Sequence, residues 1–199
     1  SIKLNRKNKI LFNDSFKNYH FNFNAMIDYL SLKYKEFDSS SLYPFKSFGI
    51  DNFELLAYLS DISPSHCPAH LHDSIGTYEL WFNNEKFITD SGNYDYNDSQ
   101  TRLYFRSTKA HNLSTASENG QSIIYKPFRF GRKVKLNNIT NFDNGLKLSY
   151  SEVNGIFSQN QLSRTFEIID EYIQIHDITS KDNSYSFIHI NPNINIDRV

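Results

Sequence analysis

Three short segments of this chain carry side chains suited to chemistry: His70-Leu71-His72-Asp73, Asp90-Ser91-Gly92 and His111-Asn112. On an extended backbone, residues two apart project from one side, which predicts that His70 and His72 share a face. Imidazole nitrogen and carboxylate oxygen are ordinary zinc ligands, and three of them leave a fourth position for water or substrate. His72, Asp90 and His111 stand 18 and 21 residues apart. That spacing suits ligands delivered by separate strands, and it equally suits three unrelated polar residues around a solvated turn. His70 is the candidate for proton transfer, because histidine titrates closest to neutral pH. The plainer alternative is a strand histidine bonded to a neighbour. His66 is read as a loop residue, His20 and His176 as structural, and His189 as a residue near the site.

Basic and aromatic residues thread the same region. Arg102, Arg106 and Arg129, with Lys109 and Arg132, alternate with Tyr94, Tyr96, Tyr104 and Phe105. Guanidinium forks read carboxylate and sulfate, and aromatic faces suit sugar rings. Tyr94, Tyr96, Arg102, Arg106 and Arg129 are therefore the candidate contacts to an acidic polysaccharide, against the alternative of an ordinary strand surface with balanced charges. A nucleic-acid partner is disfavoured, since 21 Lys and Arg face 22 Asp and Glu, a net charge of -1, and supply no general attraction to phosphate. Cys67 is the only cysteine, which excludes an internal disulfide and zinc sites built on several thiolates. No run approaches the roughly 18 consecutive apolar residues of a membrane span.

The elements that must position these residues are mostly strands. Residues 1–46 form a lead-in, where Phe23, Met26, Ile27, Leu30 and Tyr34 recur at helical steps. Asp38-Ser39-Ser40-Ser41 and Pro44 end that pattern. Over 47–199 the period becomes two: Phe53, Leu55, Ala57 and Leu59 alternate, as do Tyr78, Leu80 and Phe82. Further alternating runs cover 122–126, 133–136, 146–150, 162–169, 172–178 and 185–190. Turn signals such as Asn83-Asn84, Asn119-Gly120, Asp143-Asn144-Gly145 and Lys181-Asp182-Asn183 separate them. Aromatics make up 16% of the chain, which favours sheet surfaces. The fold class predicted is all-β, an antiparallel sandwich. Both ends read like the middle of a longer protein.

The same block resembles the heparinase II/III-like family of polysaccharide lyases. His70-Leu71-His72-Asp73 is similar to the family's His-x-His-Ala-Asp element, without the alanine, and Asp90-Ser91-Gly92-Asn93-Tyr94 to its Asp-Ser-Gly-Thr-Tyr. Tyr104-Phe105-Arg106-Ser107-Thr108-Lys109-Ala110-His111-Asn112 resembles its Tyr-x-Arg-Ser-Thr-x-Ala-His-Asn, and Phe128-Arg129-Phe130-Gly131-Arg132 echoes Phe-Arg-x-Gly-Arg. Ser74-Ile75 replaces the usual small residues. The resemblance implies a C-terminal supersandwich whose partner α/α toroid has no counterpart in these residues. It implies zinc, mainly structural, on His72, Asp90 and His111, and His70 facing a cleft where uronate-containing glycans such as glycosaminoglycans undergo β-elimination. It implies a periplasmic or cell-envelope location. A carbohydrate-binding or assembly domain that keeps the metal fold without catalysis is the alternative, and a scaffold within a polysaccharide-building enzyme is a third.

Overall fold

A computed structural model describes residues 44–60, 68–155 and 158–194. The expected lead-in helix, His20, His66 and Cys67 lie outside the described residues. In chain order the strands are β1 (Phe45–Ile50), β2 (Phe53–Tyr58), β3 (Tyr78–Phe82), β4 (Glu85–Ile88), β5 (Leu113–Thr115) and β6 (Ile124–Lys126). They continue with β7 (Arg129–Phe130), β8 (Lys135–Phe142), β9 (Gly145–Asn154), β10 (Ser158–Ile169), β11 (Tyr172–Thr179) and β12 (Tyr185–Phe187). One short α-helix, α1 (Gln100–Arg106), precedes β5. Two antiparallel four-stranded sheets result, ordered β1-β2-β3-β4 and β11-β10-β9-β8, with the small pairs β12-β5 and β6-β7 beside them. The predicted all-β antiparallel class holds.

Alternation explains why these strands stack face to face. Leu55, Ala57 and Tyr78 turn inward from the first sheet to meet Leu146, Leu148, Tyr150, Leu162 and Phe166 from the second. Phe166 lies 5.8 Å from Phe48, nearly parallel, and 6.0 Å edge-on to Tyr78. Burying such side chains contributes about 1.5–3 kcal/mol each, so this seam is the main source of cohesion. Tight turns set the register. Asn83 and Asn84, with φ of 50° and 64°, make a two-residue hairpin turn whose twist matches the flanking strands. Gly145 starts β9 where an added Cβ would strike the Phe166 carbonyl and the Phe142 ring.

β8 is twice the length expected from 133–136. An extra residue, Asn137, falls between Leu136 opposite Tyr150 and Asn138 opposite Ser149. This bulge shifts the phase, so the core-packed residues are Leu136 and Ile139 rather than an i, i+2 pair. Asn and Thr at the remaining positions hide the strand from an alternation test.

Candidate active site

Residues 71–79 are buried without a break, yet His72, Asp73, Ser74, Thr77 and Glu79 among them are polar. A buried loop survives only if its polar groups find partners inside the protein. Here they do. The Asp73 amide donates to the Arg106 carbonyl at 2.9 Å, and Arg106 Nε returns a bond to the Leu71 carbonyl at 2.7 Å. The Asp73 carboxylate accepts from the Thr108 hydroxyl and from the Ser122 amide, the latter at 2.9 Å. Burial pushes the Asp73 carboxyl up, and these two bonds offset part of that. Thr108 opens the 3-10 turn Thr108–Ala110 that delivers His111. One carboxylate thus ties the His72 loop to the His111 turn.

The structure brings His72, Asp90 and His111 into one dry cluster. His111 Nδ1 lies 2.8 and 3.0 Å from the two Asp90 oxygens, and the His72 and His111 rings are 5.2 Å apart. Asp90 also accepts from the Gly92 amide at 3.0 Å and from the Thr77 hydroxyl at 2.8 Å. Burial alone would raise the Asp90 carboxyl; His111 beside it and these hydrogen bonds outweigh burial and hold it below its ordinary value. His111 Nε2 is buried and has no hydrogen-bond partner. Among the described residues, no three His, Cys, Asp or Glu side chains are spaced as a formed metal-ligand set.

His70 departs from the expected shared face. Pro68–His70 is a 3-10 turn, not a strand; proline fixes φ near the helical value and starts such turns readily. His70 is consequently exposed while His72 is buried. The His70 ring stands 5.9 Å from Tyr96, edge to face. β7, with exposed Arg129, packs against this turn. Tyr94 and Tyr96 are also exposed, and Tyr94 stacks on Phe105 at 5.7 Å.

Arg102 and Arg106 do not present their charges to solvent; both are fully buried. They sit on α1, a helix absent from the sequence reading although Ser99 is a proper N-cap, its hydroxyl accepting from the Arg102 amide at 3.1 Å. Arg102 donates to the Asn93 side chain and to the Ala69 carbonyl, and its guanidinium lies 4.9 Å from the Tyr96 ring and 5.2 Å from Phe128. Arg106 lies 4.6 Å from Phe130. These two arginines position the site's loops and aromatics.

His189 enters the neighbourhood through its backbone. Its amide donates to Asn112 Oδ1 at 2.6 Å, and its ring meets the Lys109 carbonyl at 3.0 Å. Burial lowers its pKa, against a smaller upward pull from that carbonyl and Asp90. His176 is exposed on β11. Arg164, also absent from the sequence reading, is buried and donates to the Gly76 and Asn112 carbonyls at 2.8 Å each, while holding Asp177 at 2.7 Å with both Nε and Nη2. A charge between the inward positions Leu162 and Phe166 was the available signal.

The family model for the heparinase II/III-like C-terminal region matches residues 31–198. The chain belongs to that family. Among solved structures, a heparinase III with methylated lysines shares 17% identity over 87% of this chain, with a TM-score of 0.57. A heparan sulfate lyase, HepC, from Pedobacter heparinus shares 20% identity over 80%, with a TM-score of 0.52. The chain spans 29% and 28% of the length of those two proteins. Likeness at this identity shows the shared heparinase-type sandwich fold. Among curated proteins, none matches the chain. Among the described residues, no helix is long and apolar enough to cross a membrane.

Proposed function

We propose that this heparinase II/III-like domain supplies one side of the active cleft of a polysaccharide lyase acting on uronate-containing glycans. The observation that carries the reading is the exposed His70, two residues before the buried His72, with the exposed Tyr96 ring 5.9 Å away and exposed Arg129 on the strand packed against its turn. In β-elimination the C5 proton of the uronate moves to a base, a C4–C5 double bond forms, and the C4–oxygen bond breaks. The departing alkoxide takes a proton. In this reading His70 accepts the C5 proton or neutralises the carboxylate charge that resists its removal. Tyr94 and Tyr96 offer ring faces to neighbouring sugars, and Arg129 offers a fork to carboxylate or sulfate. Arg102 holds Tyr96 and the Ala69 carbonyl in place from behind.

Zinc fits the donor chemistry of the cluster. Two imidazoles and an ionised carboxylate are buried together, with His111 Nδ1 2.8 Å from an Asp90 oxygen and the His72 ring 5.2 Å from that of His111. His72, Asp90 and His111 would hold the ion, whose contribution would be to pin three loops to one point. A glycan substrate of this kind fits a periplasmic or cell-envelope protein.

The test uses intact protein and a panel of heparan sulfate, alginate and other uronate glycans. Ultraviolet absorbance of the unsaturated product, with elemental analysis for zinc, is the expected result. Glycan retention without any unsaturated product would overturn the lyase reading and leave carbohydrate binding in its place.

A further inference from the structure

We propose that Thr77 and Asn112 are positioning residues that fix the Asp90 carboxylate and, through it, the tautomer of His111. Both are fully buried. The Asn112 amide donates to Thr77 Oγ1 at 3.0 Å, and the Thr77 hydroxyl donates to Asp90 Oδ2 at 2.8 Å. The direction of this relay is forced. A backbone N–H only donates, an ionised carboxylate only accepts, and the single hydroxyl proton must lie between them. The Gly92 amide holds the other Asp90 oxygen at 3.0 Å. With one donor on each oxygen, the carboxylate faces His111 Nδ1 with both oxygens at 2.8 and 3.0 Å. A neutral His111 then keeps its one ring proton on Nδ1, and Nε2 presents a lone pair.

Asn112 is itself immobilised from every side. Its side-chain nitrogen donates to the Tyr78 carbonyl at 2.8 Å and the Thr89 carbonyl at 3.1 Å, its side-chain oxygen accepts from the His189 amide, and its carbonyl accepts from Arg164. The Thr89 carbonyl belongs to the residue before Asp90, and Asn112 is the residue after His111. One side chain therefore sets the separation of the two groups it flanks, while Arg164 anchors it to the second sheet. Both sides of the Asp90–His111 contact are fixed by residues that are not themselves donors to a metal.

Two readouts test this in the intact protein. In zinc titration against a competing chelator, Thr77→Val is expected to weaken affinity about 10–100-fold, as loss of an outer partner does, whereas Thr77→Ser keeps the hydroxyl and is expected to stay near wild type. In metal-free protein with nitrogen-labelled histidine, neutral His111 is expected as the Nδ1–H tautomer in wild type and Thr77→Ser, and as a mixture in Thr77→Val. The zinc arm rests on the metal reading above, and the tautomer arm does not. If wild type binds no zinc, that reading falls and the spectra alone decide. Wild-type His111 protonated on Nε2, or an unchanged tautomer in Thr77→Val, would overturn the proposal. So would unchanged zinc affinity in that variant. Should Thr77→Val not fold, Thr77→Ala gives the same two readouts.

Discussion

Between β9 and β10 on one side and β2 and β3 on the other, the interior is made of Leu55, Ala57, Leu146, Leu148, Tyr150 and Phe166. Between the 72–77 loop and the turn before His111, it is made of Asp73, Thr77, Asp90, Thr108, His111 and Asn112. Both regions exclude water, and they cohere for different reasons. Apolar burial is non-directional and scales with area, so the seam tolerates changes of shape better than losses of volume. The polar region depends on each donor meeting its acceptor, so it tolerates a change of volume better than the loss of one proton.

Substitutions that respect one rule and violate the other separate the two regions. Phe166→Ala removes the ring between Phe48 and Tyr78 and is expected to cost about 3–5 kcal/mol in denaturant unfolding, while the folded fraction keeps its His111 tautomer. Thr108→Val, nearly equal in volume, leaves the Gln121 amide and the Asp73 carboxylate short of a partner. It should cost about 1–3 kcal/mol, where Leu148→Ile in the seam should cost less than about 1.5 kcal/mol. A free Thr108→Val substitution would erase the distinction.

Charge sharpens the contrast. Burial raises the carboxyls of Glu79 and Glu152 to about 7 each, with Lys86 opposing the shift at Glu79 and the Ala116 amide opposing it at Glu152. A folded pKa above the unfolded 4.5 means the native state binds the proton more tightly. Stability from these groups is full below pH 4.5 and declines as pH rises toward about 7. Asp90 and Asp177 act oppositely, losing their contribution as pH falls below 3.8. Glu152→Gln should therefore flatten the decline between pH 4.5 and 7, by roughly 1–3 kcal/mol in unfolding free energy measured across that window. An unchanged slope would mean that Glu152 ionises freely. The smallest effect belongs to Tyr94→Ala at an exposed position, within about 0.5 kcal/mol of wild type in stability but weaker in glycan affinity electrophoresis.

Apolar alternation made the seam legible in sequence. Leu146, Leu148 and Tyr150 announce β9, and Asn83-Asn84 announces its hairpin. The site was legible as residue types but only partly as geometry. His72, Asp90 and His111 stood out as donors and do converge in one cluster. The shared face of His70 and His72 failed because Pro68 starts a 3-10 turn, an effect that spacing alone does not carry. Arg102 and Arg106 looked like ligand contacts because charge usually means surface. Their burial depends on Ala69, Leu71, Asn93 and Phe130, partners as far as 35 residues away in sequence. Asp73, Thr77 and Asn112 have no periodic signature at all, since a hydrogen-bond network is specified by three-dimensional approach.

The most direct measurement compares wild type with His70→Ala in the intact protein, following ultraviolet absorbance of the unsaturated uronate on a glycan that wild type cleaves. His70 is exposed, so the variant should keep wild-type unfolding and zinc content while product formation disappears. Product formation by His70→Ala at the wild-type rate would contradict the account and remove His70 from the chemistry.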